Sequence, residues 1–225
     1  MSPRIALGAG GLALVIALAA LVGLGVTDGF DRPIIEAVRH PDLRDLLSPL
    51  RVITELGSTW AITAMAAVTF VLGAAIGPWR HGLIGALTIG AASIANSSLK
   101  LAMARTRPDL LEPIIVEHGF SFPSGHSALG MVAYGVLAVL VSRSRLPLAV
   151  RRAAIVGLAI LIGLIGLSRI WLGVHYPTDV LAGWVAGGVI VLAYGTLTRR
   201  VSPEPAEGAV DADPAAPRSD RPVPG

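Results

Sequence analysis

The chain has 225 residues, 53% of them hydrophobic and 15% charged, with a formal net charge of +3. Soluble domains carry about a quarter charged residues, so this balance excludes an ordinary water-soluble globule and points to the bilayer as solvent. Cysteine is absent, which removes disulfides and thiolate chemistry, and no basic run is interleaved with aromatics, which argues against nucleic acid as a partner.

Six apolar segments follow one another, at roughly 5–26, 59–77, 83–104, 126–142, 153–171 and 180–197. Each runs about 17–22 residues, the length a helix needs to cross about 30 Å of hydrocarbon. The first has Arg4 ahead of it, as a signal peptide would. Its apolar stretch is too long for a signal h-region and no A-x-A site follows, so it reads as a retained membrane helix. Between the first two segments, residues 27–58 place Phe30, Ile34, Val38, Leu43, Leu46, Leu47, Leu50 and Ile53 at spacings of three and four, with Arg39, Asp42, Arg44, Asp45 and Arg51 on the other face. Two readings fit that amphipathic pattern: a surface helix packed on its own protein, or an interfacial helix at the lipid head groups. The expected fold is all-α, an integral-membrane six-transmembrane-helix bundle over residues 1–200 with an interfacial amphipathic helix between helices 1 and 2. Residues 201–225 are rich in Pro, Ala and Asp with no periodic apolar face, and read as a disordered tail.

Numbering the spans makes the polar residues at their ends informative. Lys100, the only lysine, lies near the end of span three, with Arg107 and Pro108 after it. Pro123, Ser124, Gly125 and His126 open span four; Ser168 and Arg169 close span five; His175 lies in the next loop and Asp179 starts span six. Both loops concerned are odd-numbered, so these groups meet on one face of the membrane. Free N–H groups at a helix start favour an anion, glycine lets it approach the backbone, and guanidinium forks match phosphate oxygens. The pattern is that of a phosphate pocket with two histidines beside it. The H-x-x-x-D spacing lets Asp179 hold one nitrogen of His175 and leave the other free as a nucleophile, with His126 as general acid.

Each residue also has a bland reading. Lys100 can snorkel, Arg107 and Arg169 can be interfacial anchors, the P-S-G run can be a turn with a serine cap, and Asp179 can be a plain N-cap. A metal site is a rival use for His126, His175 and Asp179, but the surrounding cations repel a divalent ion, so no metal and no other cofactor is expected. Convergence of all these groups on one anion favours the pocket.

Three segments, "KLAMARTRP" (Lys100 to Pro108), "PSGH" (Pro123 to His126) and "SRIWLGVHYPTD" (Ser168 to Asp179), resemble in order and internal spacing the signature of the type 2 phosphatidic acid phosphatase family, the lipid phosphate phosphatase and haloperoxidase superfamily. The resemblance implies that His175 forms a phosphohistidine intermediate, that Asp179 orients it, and that His126 protonates the leaving group and then activates water. It further implies that Lys100, Arg107, Arg169, Ser124 and the Gly125 N–H bind phosphoryl oxygens without a metal; Ser168 belongs to the signature with no role assigned. Residues 109–122 are placed to roof the site.

The leading expectation is therefore a membrane lipid phosphatase acting on a polyprenyl diphosphate, phosphatidic acid, phosphatidylglycerol phosphate or a similar lipid. The soluble haloperoxidase branch conflicts with six spans. A second expectation from another class is a non-catalytic anion- or lipid-binding membrane protein, which would need the cations but not two histidines and a carboxylate. The expected partners are the lipid phosphate and the bilayer; the residues specify neither the lipid nor an oligomeric state. Basic residues near the span ends divide equally between the two sides, but four arginines crowd residues 143–152 with no acidic residue. The expectation is cytoplasmic termini, with the polar cluster on the extracytoplasmic face.

Overall fold

The structure is a computed structural model that describes residues 2–38, 47–76, 78–109 and 115–200. The elements run α1 (Pro3–Gly23), α2 (Asp28–Val38), α3 (Leu47–Glu55), α4 (Thr59–Ile76), α5 (Trp79–Met103), α6 (Gly125–Ser142), α7 (Leu148–Trp171) and α8 (Pro177–Arg200). The described residues are helix and connecting turns. Five helices, α1, α5, α6, α7 and α8, are each long and apolar enough to cross a bilayer; α3 and α4 qualify together as a sixth, bent by 51° at the break between them.

Lipid-type packing explains the arrangement. α1 buries only Val15, Leu18 and Val22 and leaves Leu7, Leu12 and Ile16 outward, a face suited to hydrocarbon rather than water. α6 is the central helix: it packs on α4, α5, α7 and α8, and its Val132, Ala133 and Val136 have no exposed surface. The α6–α8 contact is close because of Gly183 and Gly187, one turn apart on α8. A Cβ on either would stand 2.9 Å from the Ser124 carbonyl oxygen or 2.7 Å from that of Ala128. Small residues at this spacing let membrane helices approach where lipid offers no hydrophobic drive to associate.

Helix ends decide where the polar segments go. α5 stops at Ala104, which adopts a left-handed φ of 46°. α6 starts behind Ser124, whose Oγ caps the N–H of Ser127, and α8 opens on Pro177, which has no N–H to leave unpaired. The C-terminal ends of α5 and α7 therefore meet the N-terminal ends of α6 and α8 at one end of the bundle.

The segment 27–58 departs from expectation. Two helices, α2 and α3, stand where the periodicity predicts one, and Arg39, Asp42, Arg44 and Asp45 of its expected polar face lie outside the described residues. Proline lacks the N–H a continuous helix needs, and the sequence places one, Pro41, between the two. Both helices pack on their own protein, α2 on α7 and α8, α3 on α7. The tail expected over residues 201–225 also lies outside the described residues.

Candidate active site

His175 follows the turn after α7 and is buried, and Asp179 occupies the third position of α8 with no exposed surface. From there the Asp179 carboxylate reaches back: Oδ2 accepts the N–H of Tyr176 at 2.9 Å, as an acid does in a capping box, and stands 3.4 Å from His175 Nδ1. The other ring nitrogen, Nε2, faces Arg107 Nη1 at 3.3 Å. A guanidinium only donates, so this geometry selects the tautomer with the proton on Nδ1 and the lone pair on Nε2. Burial, and then the positive charges of Arg169, Lys100 and Arg107, hold the His175 pKa well below its ordinary value. The imidazole is neutral at neutral pH.

Three cations surround this pair. Lys100, in the last turn of α5, donates from Nζ to the Phe120 carbonyl at 2.7 Å. Arg107 donates to the carbonyls of His118, Gly119 and Val174 at 3.0, 3.1 and 2.9 Å. Arg169, in the last turn of α7, is fully buried; Nη1 donates to Thr54 Oγ1 at 2.7 Å and Nη2 pairs with Glu117. Its Nε–H is buried with no hydrogen-bond partner, a cost that a second acceptor would remove. Glu117 also stands 3.7 Å from Arg107 through its other oxygen. Burial alone would raise the Glu117 pKa, but Arg169, then His126 and Arg107, carry it below the ordinary value. A carboxylate of the chain itself thus sits where two guanidiniums converge, the position an oxyanion would take.

The remaining residues singled out in the sequence divide. Gly125 lies against the lysine: a Cβ there would be 3.8 Å from Lys100 Cε and 3.3 Å from Asn96 Nδ2. His126 opens α6 and packs under Gly57, whose added Cβ would come within 2.8 Å of the imidazole Cδ2. Ser124 is a joint rather than an open donor. Its N–H bonds the Asp179 carbonyl at 3.0 Å, and its Oγ lies 3.0 Å from Ser127 Oγ. Ser168 donates to Ile165 O in its own helix at 2.6 Å. The described part of the expected roof, residues 115–122, wraps the cations with its carbonyls. Among the described residues, no three His, Cys, Asp or Glu side chains converge as metal ligands. The donor set is cationic and matches an oxyanion.

Sequence reasoning missed the layer behind these groups. Arg105 counts there only as a charge near a span end. In the structure its Nη1 donates to Asp179 Oδ1 at 2.7 Å and to Thr178 Oγ1 at 2.8 Å, while Nη2 pairs with Asp31 at 2.8 Å and, more loosely, with Asp28 at 3.4 Å. The guanidinium stacks 4.0 Å over the Tyr176 ring. Burial opposes its charge, but Asp179 and Asp31 outweigh burial and raise its pKa. Asp31 on α2 also accepts the Thr178 N–H at 3.0 Å. Asp31, Thr54 and Gly57 all come from the 27–58 segment, and an acid in an amphipathic stretch carries no local signal of a partner about 150 residues away. Arg105, inside "KLAMARTRP", was the one member within reach of motif reading.

The chain is similar to known proteins over most of its length. The profile of the PAP2 superfamily matches residues 81–202. Phosphatidylglycerophosphatase B of Bacillus subtilis (strain 168) is 32% identical over 178 residues, covering 76% of this chain and 84% of that protein. Undecaprenyl-diphosphatase of Sulfolobus acidocaldarius is 30% identical over 118 residues, 49% of this chain and 52% of that one. The crystal structure of a transmembrane PAP2 type phosphatidylglycerolphosphate phosphatase from Bacillus subtilis superposes with a TM-score of 0.73 at 28% identity, covering 90% of this chain and 98% of that chain.

Proposed function

The chain belongs to the PAP2 superfamily, and on that premise we propose that it is an integral-membrane lipid phosphatase that hydrolyses a phosphomonoester or diphosphate of a lipid through a phosphohistidine intermediate. The observation that carries the reading is the meeting of three cations, Lys100, Arg107 and Arg169, around a buried His175–Asp179 pair. Binding an anion needs only the cations. A neutral imidazole held by a carboxylate, with its other nitrogen on the anion side, is what nucleophilic attack needs in addition. The relatives' names, phosphatidylglycerophosphatase and undecaprenyl-diphosphatase, support a lipid phosphate or diphosphate as substrate.

In this reading the phosphoryl oxygens replace Glu117 on Arg169 and Arg107, take up the free Nε–H of Arg169, and reach Lys100 and the Gly125 N–H. His175 Nε2 attacks phosphorus. The bond to the leaving oxygen breaks as His126 gives that oxygen a proton, leaving phosphohistidine and the lipid alcohol or monophosphate. His126, now neutral, takes a proton from water as the water attacks phosphorus, and the N–P bond breaks to release inorganic phosphate. Lys and Arg supply the charge stabilisation that Mg²⁺ gives in other phosphoryl-transfer enzymes, so no metal is required. Residues 1–200 form the phosphatase unit, with six spans if α3 and α4 count as one. The cluster lies at the head-group level of the extracytoplasmic leaflet, where a lipid presents phosphate while its tail stays in the bilayer.

The test is phosphate release from a panel of lipid monophosphates and diphosphates in detergent, with and without EDTA, for the wild type and His175→Ala. Turnover unaffected by EDTA and abolished in His175→Ala supports the reading. Binding of the same lipids without release of phosphate would favour the non-catalytic alternative.

A further inference from the structure

The end of the bundle opposite the catalytic cluster carries a second cationic site that the phosphatase reading does not use. Two adjoining clefts lie there, of ≈ 300 and ≈ 340 Å³, and they share Arg4, Leu192 and Thr196. The first is headed by three arginines from three chain segments: Arg4 on α1, Arg143 just past α6, and Arg199 near the end of α8. The second continues from it as an apolar groove between α1 and α8, opened by Gly8 and edged by Ile5 and Leu197, both about half exposed. Neither cleft is lined by an acidic residue. Among the described residues, no carboxylate pairs with Arg4, Arg143 or Arg199.

The three charges gather around a buried, neutral anchor. Arg143 donates to Thr198 Oγ1 at 2.6 Å and to the Gly195 carbonyl at 2.7 Å, which fixes its guanidinium but does not neutralise it. Burial pushes its pKa below the ordinary value against the opposing effect of Tyr194, and the like charges of Arg199 and Arg4 add to the lowering. The N-terminal end of α1, with its unpaired N–H groups, adds partial positive charge at the same place. Arg80, Arg145, Arg151 and Arg152 belong to the same end of the bundle but line neither cleft. Generic positive charge at a membrane surface therefore does not account for the convergence of these three.

We propose that this site holds an anionic phospholipid, with its phosphate on Arg4, Arg143 and Arg199 and an acyl chain along the groove between α1 and α8. The charge selects an anion, and an uninterrupted apolar groove running from the cationic head selects one that carries a hydrocarbon chain. Basic pockets between membrane helices take lipid head groups in this way, each arginine adding several-fold to affinity.

Native mass spectrometry of the full chain in detergent tests this with dioleoyl phosphatidylglycerol, dioleoyl phosphatidylcholine and inorganic phosphate as probes. Wild type should retain one phosphatidylglycerol in preference to phosphatidylcholine. Arg4→Gln with Arg199→Gln should weaken that binding about thirtyfold. Arg145→Gln with Arg152→Gln should leave it intact, as should Arg107→Gln, which removes a cation of the catalytic cluster, and deletion of residues 202–225. Arg4 and Arg199 are exposed, so their double variant should fold, and thermal unfolding without added lipid checks that it does. Equal loss in the Arg145 and Arg152 pair would reduce the effect to surface charge. Loss in Arg107→Gln but not in the Arg4 and Arg199 pair would place the lipid at the catalytic cluster. Displacement of the lipid by inorganic phosphate alone would reduce the site to a free-anion site, and tighter lipid binding after the deletion would make the acidic tail the occupant. Each of these four results overturns the proposal.

Discussion

At Asp179 one carboxylate oxygen faces the imidazole of His175 and the other takes the guanidinium of Arg105, so the acid that orients the ring is itself oriented. Arg105 spans two buried acids, Asp179 and Asp31, and removing it leaves both without a counter-charge. Arg105→Gln is expected to cost about 3–5 kcal/mol of stability, the usual result of breaking a buried pair from one side. Asp31→Asn should cost less, because Arg105 keeps Asp179. The double variant should be more stable than the sum of the singles by about 0.5–3 kcal/mol. Unfolding of the four proteins in detergent measures this, and strict additivity would show that the two residues are not coupled. The cations act on His175 in the opposite sense. After burial, Arg169, Lys100 and Arg107 depress its pKa, so wild-type kcat/KM should not fall as pH drops through the ordinary imidazole range. Arg107→Gln removes a positive neighbour, makes the protonated ring easier to form, and should move the acid limb to higher pH; Arg107→Lys should leave it close to wild type. The pH profiles, read on two substrates whose phosphates titrate differently, decide this. An acid limb that stays put in Arg107→Gln would remove Arg107 from the electrostatics of the ring. The histidines, the lysine and the motif arginines, which the structure brings to one end of the bundle, stood out in the sequence because unpaired polar groups at the ends of apolar runs are costly. Arg105 did not, because one arginine near a span end looks the same whether it anchors in head groups or clamps a carboxylate.

The α2–α3 segment shows where reading by element stops. The ends of the long helices were readable to within about five residues, because the apolar runs have sharp polar ends, but α4 counts as a span only together with α3. The 27–58 stretch is amphipathic, and an apolar stripe looks the same whether it faces lipid or the protein's own helices. What decides its place is long-range: Asp31 reaches Arg105 and Thr178, Thr54 accepts from Arg169, and Gly57 at the bend between α3 and α4 closes on His126. The segment works as a brace on the site. Its most exacting point is Gly57, where an added Cβ would stand 2.7 Å from Ile165 Cγ2 as well as 2.8 Å from His126 Cδ2. Ile165 is a core residue of α7 with little room to move, so the histidine must give. Gly57→Ala is expected to lower kcat, by up to the roughly hundred- to ten-thousand-fold that general acid catalysis contributes. Product inhibition by phosphate should change little, since the cations are untouched. A variant with unchanged kcat would show that α6 or α7 shifts instead and that the close approach at Gly57 is incidental.

Across the whole molecule, helix direction and charge agree. At the site end, α6 and α8 present their N-terminal ends, the positive ends of their dipoles, while α5 and α7 present C-terminal ends whose last turns carry Lys100 and Arg169. These four helix ends either favour an anion or are compensated by a cation that does. The opposite end carries Arg4, Arg80, Arg143, Arg145, Arg151, Arg152 and Arg199. Arg105, Arg107, Arg169 and Lys100 are engaged in the site, with Glu117, Asp31, Asp179 or backbone carbonyls as partners, so their positions answer to the pocket rather than to topogenesis. Discounting them leaves the opposite end as the basic one, and the basic end of a membrane protein stays in the cytoplasm. The site end is then expected to face outward. The chain has no native cysteine, so one introduced thiol reports one position without background. Val116, in the segment that closes the site, and Leu148, at the start of α7, are 76% and 50% exposed and lie at opposite ends of the bundle. In whole cells, Val116→Cys should react with a membrane-impermeant thiol reagent, and Leu148→Cys should react only after the membrane is opened. The reverse pattern would turn the molecule over. The candidate site would then face the cytoplasm, and the arginines at the opposite end would be held by what they bind rather than by topology.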